Sequence, residues 1–241
     1  MYKKILYLII VFITFGLNAQ SFRTESIDGV NSFNDSNEKL ATTNGSQLYG
    51  FVTWDKDFLY IAYSGNSVWG TVTDNDRVFH IYIDTDPQKT ATSGTGTTTS
   101  DAWRWNPTLP FSANYHYAFK TTDNSEYRKV YNGTIWTDSP FTTENIKAAG
   151  FWELKIKLSD IGYPKQIDLI SYVEEDKADG SINGGIPSTL FTNTTTQGAI
   201  SFNNHFLNYY LNDQVNPNAA FNLDNYQWQI RLKVSASTLS D

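Results

Sequence analysis

FVTWDKDFLYIAYSGNSVWGTVTDNDRVFHIYIDTDP, residues 51–87, is the stretch of this 241-residue chain that decides the fold. Aromatic and β-branched residues dominate 48–54 and 58–63, and the acidic tripeptide 55–57 separates them. This pattern predicts a hairpin, because Asp tolerates the backbone of a tight turn. A third strand is predicted at 77–84. Its apolar face holds every second residue, Phe79, Ile81 and Ile83.

Further strand patterns follow at intervals of about ten residues. A hairpin is predicted from 115–121 and 127–131, and single strands at 152–158, 167–173 and 227–234. In 152–158 apolar residues alternate with Glu153 and two lysines, which predicts one buried and one wet face. The segments 202–211 (strand or short helix) and 90–100 (a flexible loop rich in Thr, Ser and Gly) are less regular. With no alternating helical patterns, these strands predict an all-β antiparallel β-sandwich, one domain over 24–236.

The first twenty residues have the composition of a signal peptide. A basic start at Lys3 and Lys4 precedes the apolar run 5–17, and 18–20 would be the processing region. The run is short for a membrane span, although an uncleaved anchor is the alternative. We therefore expect residues 1–20 to be a signal peptide, a protein that is secreted or held at the cell surface or in the periplasm, and no membrane span after processing.

Charge and cysteine content exclude several classes of partner and stabilisation. Removal of Lys3 and Lys4 from the 18 basic residues leaves 16 against 25 acidic ones, a net charge of 16 − 25 = −9. Such an acidic chain is not expected to bind nucleic acid or an anionic membrane. The chain has no cysteine, so stability must come from core burial, with a bound ion as a further source.

Three motifs in one order resemble a known family. They are DFLYIAY at 57–63, DRVFHIYID at 76–84 and WELKIKLSDIG at 152–162. Together they resemble the family 9 carbohydrate-binding modules and the related DOMON-like sandwiches, over roughly residues 28–173. The resemblance implies a jelly-roll type of β-sandwich with structural calcium. In sugar-binding members it also implies a cleft between aromatic side chains.

Four tryptophans in or beside predicted loops are the candidate ligand-binding residues: Trp69, Trp103, Trp105 and Trp136. A flat apolar ring with a polar edge suits the C–H face of a sugar. Trp69 matches the position of the family's first sugar-stacking tryptophan. A second one is missing between 152 and 228, where Phe191 or Phe202 would have to replace it. The alternative role for any of these tryptophans is to close the open ends of the sandwich core.

A calcium site is predicted where the strand 77–84 ends. Asp84 and Asp86 would provide carboxylates, with Asp101 closing the intervening loop. Hard cations prefer several such oxygen ligands, although an acidic turn at a strand end is the alternative. A second acidic cluster, 74–76, suits a turn.

These observations favour a secreted, non-catalytic carbohydrate-binding module with structural calcium. A surface or structural protein-interaction module without a small ligand is the first alternative. A small glycan-cleaving enzyme is the second, since two suitably placed carboxylates suffice for that chemistry. The three histidines His80, His116 and His205 are scattered along the sequence, and no motif of a nucleophile, zinc or phosphate site occurs.

Overall fold

The computed structural model of the chain describes residues 23–35, 38–65, 76–101, 103–177, 181–191, 198–211 and 220–222. The predicted signal peptide 1–20, the strand 227–234, Trp69 and residues 74–75 lie outside the described residues. Within those ranges, no helix is both long and apolar enough to cross a membrane.

The described residues form strands almost throughout. In chain order they are β1 (Lys39–Thr42), β2 (Gly45–Trp54), β3 (Phe58–Ser64), β4 (Arg77–Asp84), β5 (Thr97–Thr99), β6 (Trp105–Ala113), β7 (Tyr115–Lys120), β8 (Ser125–Tyr131), β9 (Trp136–Asp138), β10 (Thr143–Ala148), β11 (Phe151–Lys157), β12 (Gln166–Glu175), β13 (Ile182–Ile186), β14 (Gly198–Ser201), β15 (His205–Tyr210) and β16 (Ala220–Asn222). One short 3-10 helix, Leu158–Ile161, follows β11.

The strands build three sheets. The first has the order β1-β2-β3-β11-β10, the second β16-β15-β12-β4-β7-β8-β9 with β13 also paired to β12, and the third β14-β6-β5. The β14–β6 pair is parallel, and the other pairs are antiparallel. The predicted all-β antiparallel sandwich is confirmed.

The main core lies between the first two sheets. Trp54 and Trp152 lie in the same buried cluster as Phe79, Ile81 and Ile83, the predicted apolar face of β4. The Phe79 and Trp152 rings stack with centroids 4.4 Å apart. Because side chains alternate along a strand, the remaining residues of β4 point away from this core.

A second core covers the opposite side of the second sheet. Tyr82, Ile170 and Tyr172 pack there in one cluster with Trp105 and Phe111 of β6. The third sheet therefore adds a third layer where β6 packs on the second sheet. The sequence did not predict this layer.

Two local expectations are corrected, and one open alternative is decided. Glu153 is fully buried, because the segment 23–35 covers the outer face of the first sheet and the backbone N–H groups of Asp28 and Gly29 donate to its Oε1 at 2.7 and 2.6 Å. The segment 90–100 contains β5 and is held by Thr95, whose N–H and hydroxyl donate to Asp86 Oδ2. The strand β15 resolves the ambiguity of 202–211.

Candidate functional site

The second face of β4 and β12 carries mainly polar and aromatic side chains. On β4 this face carries His80, Tyr82 and Asp84. On β12 the same face carries Asp168, Ile170, Tyr172 and Glu174. The two strands pair so that Tyr172 lies opposite His80 and Asp168 opposite Asp84. We call these residues, with His116 of β7, the polar face.

Four titratable side chains of this region form a continuous series of contacts, which we call the histidine chain. Asp101 Oδ2 lies 3.2 Å from His116 Nδ1, and His116 Nε2 lies 3.0 Å from His80 Nδ1. His80 Nε2 is 3.6 Å from Glu174 Oε1. Both histidines and Glu174 are fully buried, whereas the Asp101 side chain retains 22% of its exposure. The chain therefore runs from solvent at Asp101 to the interior at Glu174.

Burial, hydrogen bonding and a nearby lysine together set the charge states of Asp101 and His116. Burial lowers the pKa of His116 to about 4, which the hydrogen bond to Asp101 opposes without reversing. Burial alone would raise the pKa of Asp101, but the hydrogen bond with His116 and the charge of Lys129 hold it below its usual value. At neutral pH Asp101 is therefore a carboxylate and His116 a neutral imidazole.

Aromatic rings surround the two imidazoles. Tyr82 stacks on His116 at 4.2 Å between centroids, and Tyr172 on His80 at 4.8 Å. Two half-buried indoles complete the set. Trp103 meets His80 edge to face at 5.5 Å, and Trp136 meets His116 in the same way at 6.0 Å.

The polar face continues into a half-exposed surface on β8 and β9. Tyr127 and Lys129 lie opposite Ala118 and His116 of β7, so they share the face of the imidazoles. All seven residues of β8 are half-buried. Trp103 packs against Tyr127 at 4.9 Å. We call Asp101, Trp103, Tyr127, Lys129 and Trp136 the aromatic rim.

The predicted ligand-binding tryptophans have different environments. Trp103 and Trp136 belong to the aromatic rim. Trp105, expected to form a pair with Trp103, is only 1% exposed and lies in the second core, so its ring has no face open to a ligand. Phe191 and Phe202 stack on each other at 5.4 Å in the same core, which removes them as replacements for a sugar-stacking tryptophan.

The predicted calcium ligands divide between two places. Asp101 contacts His116 in the chain described above. Asp84 accepts a hydrogen bond from the Asp86 N–H at 2.8 Å, and its cross-strand neighbour is Asp168, which accepts from Asn208. The predicted set Asp84, Asp86 and Asp101 therefore does not form one site.

Asp84, Asp86 and Asp168 still make an unusual acidic cluster. One oxygen of each is buried without a hydrogen-bond donor among the described residues. Burial raises the pKa of Asp84 to about 9 and that of Asp168 to about 7. In the described part of the chain, no group of three or more His, Asp or Glu side chains has the spacing of a metal site. Ion binding here would require these side chains to move.

The histidine chain is the feature that sequence reasoning missed. Its members are far apart in the sequence, and only the register of β4 with β7 and β12 brings them together. A signal was present in VFHIYID at 78–84, where the apolar residues Phe79, Ile81 and Ile83 alternate with His80, Tyr82 and Asp84. A strand buried on both faces should not carry them without partners.

Comparison of the chain with protein-family models, with curated proteins and with solved structures found no match.

Proposed function

We propose that this protein is a non-catalytic carbohydrate-binding β-sandwich whose ligand lies on the aromatic rim. The observation that carries the proposal is that Trp103 and Trp136 pack against His80 and His116, and that His116 contacts the partly exposed carboxylate of Asp101. Half-exposed rings offer apolar faces to sugar C–H groups, and a carboxylate accepts hydrogen bonds from hydroxyls. The three motifs that resemble family 9 carbohydrate-binding modules support the same proposal.

The charge of the rim favours a neutral glycan. Lys129 is paired with Asp138 at 2.7 Å, and Lys120 and Arg104 both pair with Asp176. These three basic side chains face two carboxylates, and the ionised Asp101 supplies a third negative charge. The region therefore carries no net charge that would attract an acidic sugar.

Binding to a glycan array and to insoluble polysaccharides, with single alanine variants, tests the proposal. Trp103→Ala and Trp136→Ala are each expected to weaken binding about tenfold, because a stacking contact contributes about 0.5–1.5 kcal/mol and a loss of about 1.4 kcal/mol is tenfold in affinity. Tyr163→Ala is the matched control, because this exposed aromatic residue follows the 3-10 helix and lies outside the rim. Wild-type protein that binds no glycan, or indole variants that bind like wild type, would refute it.

A small glycan-cleaving enzyme is a second candidate, favoured by the contact between Asp101 and His116. A carboxylate held ionised by an imidazole has the charge state of a nucleophile or general base. Release of reducing ends from a bound polysaccharide, abolished in Asp101→Asn while binding persists, would favour this candidate over simple binding.

A structural calcium ion is the remaining part of the proposal. The donor chemistry of Asp84, Asp86 and Asp168 suits a hard cation, because carboxylate oxygens are its preferred ligands. Such an ion would neutralise carboxylates that are otherwise buried together. It would act on stability and not on the aromatic rim.

A further inference from the structure

The outer face of β8 lies outside the second core. Among the described residues, that core contains side chains of β4 and β12 but none of β8. The inner face of β8 is occupied, since Glu126 accepts a hydrogen bond from the Thr143 hydroxyl of β10. Because side chains alternate along a strand, the opposite face of β8 carries Tyr127, Lys129 and Tyr131. All three are half-buried, so each has a side open to solvent.

Two aromatic pairs lie towards the two ends of this face. Near the start of β8, Tyr127 packs against Trp103 with ring centroids 4.9 Å apart. At its end, Tyr131 lies opposite Trp136 of β9, and their ring centroids are 5.7 Å apart. All four rings are half-buried. Each pair therefore offers aromatic surface to a ligand at its own end of β8.

An ion pair separates the two aromatic pairs. Lys129 lies midway between the two tyrosines of β8, and its Nζ is 2.7 Å from Asp138 of β9, the residue opposite it. The Asp138 side chain retains 92% of its exposure. An ammonium donates hydrogen bonds and a carboxylate accepts them, so this pair can bond to sugar hydroxyls in both senses. We call the whole set the β8 surface: Trp103, Tyr127, Lys129, Tyr131, Trp136 and Asp138.

The two aromatic pairs are too far apart to contact the same sugar ring. Residues advance about 3.3 Å along a strand, so Tyr127 and Tyr131 are separated by roughly 13 Å. Rings in stacking contact have centroids about 4.5–7 Å apart, so a sugar on one pair does not reach the other. Sugar units joined through one glycosidic oxygen have a similar spacing. The distance therefore corresponds to roughly two to three such spacings, or roughly three to four consecutive units.

We propose that the β8 surface binds a linear chain of neutral sugars that extends along β8 over roughly three to four units. The outermost units stack on the two aromatic pairs, and the units between them form hydrogen bonds with Lys129 and Asp138. This inference rests on the proposed carbohydrate-binding function and adds the class of glycan to it. A single sugar, or a chain end held in a pocket, would use only one of the two pairs.

Isothermal titration calorimetry with oligosaccharides of one to six units tests the inference. The probes are cello-, xylo-, manno- and laminari-oligosaccharides, which are neutral and unbranched. In a series that the wild type binds, affinity should rise about tenfold from one unit to four and then stay constant, because the second aromatic pair adds its contact only when the chain reaches it. Equal affinity for one unit and for four overturns the inference and leaves the proposed function standing.

Variants at the far end of the β8 surface test where the chain lies. Tyr131→Ala should lower the affinity for four units about tenfold and remove the gain with chain length. Tyr131→Phe keeps the ring and should bind like the wild type, as should Tyr163→Ala, an exposed tyrosine outside the surface. Tyr131→Ala protein that binds four units as tightly as the wild type overturns the inference. Should this variant fail to fold, the chain-length series of the wild type decides alone.

The glycan array separates the two possible failures. Wild-type protein that binds a branched glycan or a single sugar on the array, but none of the four linear series, overturns the extended chain and keeps the proposed function. Wild-type protein that binds no glycan in either experiment overturns both.

Discussion

Asp84 and Asp168 lie directly opposite each other on the neighbouring strands β4 and β12, and both are buried. Burial raises the pKa of both carboxyls, to about 9 for Asp84 and about 7 for Asp168. Two like charges at adjacent positions of a sheet repel each other. The pair therefore favours the protonated form or a bound cation.

The first prediction concerns the pH dependence of stability without calcium. Because the folded pKa values lie above those of an unfolded Asp, about 3.9, the associated stability is present below about pH 4. It is lost as the pH rises, through about 7 for Asp168 and about 9 for Asp84. Asp168→Asn should flatten the decline up to about pH 7, and Asp84→Asn up to about pH 9, in urea unfolding with a chelator. Variants with unchanged slopes would show that these carboxyls do not titrate in this range.

The second prediction concerns calcium. If the acidic cluster binds the ion, calcium at 100 times its dissociation constant should stabilise the wild type by about 2.7 kcal/mol. Asp84→Asn should abolish the shift in melting temperature. Asp101→Asn should retain it, because Asp101 contacts His116 and not the cluster. If calcium does not change the melting temperature of the wild type, the structural calcium ion is no longer part of the proposed function.

The strands were largely predictable from sequence, and the polar face was not. Alternation of side chains is a local property, so 77–84 matched β4 at both ends, and the hairpin of β2 and β3 was confirmed. The burial of Glu153 depended on a covering segment more than a hundred residues earlier in the chain. Asp101 contacts His116 and is not grouped with Asp84, because of the strand register and the course of the loop that precedes β6. The pattern of a single strand encodes neither.

The third prediction separates the core tryptophan from the rim tryptophan. Trp105→Ala should destabilise the protein by about 3–5 kcal/mol, because the change leaves a cavity in the second core. Trp136→Ala should lower the free energy of unfolding by less, because that ring is half-buried. Its Nε1 donates to the backbone carbonyl oxygen of Thr99 at 3.0 Å, at an exposed position. Chemical unfolding of both variants gives the comparison. Equal losses would mean that the rim is as much a part of the core as Trp105 is.

The fourth prediction concerns Glu153, which ties the segment 23–35 to the first sheet. Glu153→Ala removes the acceptor of two backbone N–H groups, and hydrogen bonds to a charged group contribute about 1.5–3 kcal/mol each. We expect a loss of at least about 2 kcal/mol in the free energy of unfolding and faster proteolysis within 23–35.

Glu153→Gln is the control for that change, because its side-chain oxygen can still accept from Asp28 and Gly29. It also removes a carboxylate whose pKa is raised by burial, an effect that the same two hydrogen bonds oppose. The glutamine variant should therefore keep the segment protected from protease at neutral pH. Equal cleavage of both variants would show that the negative charge, and not the acceptor geometry, holds the segment on the sheet.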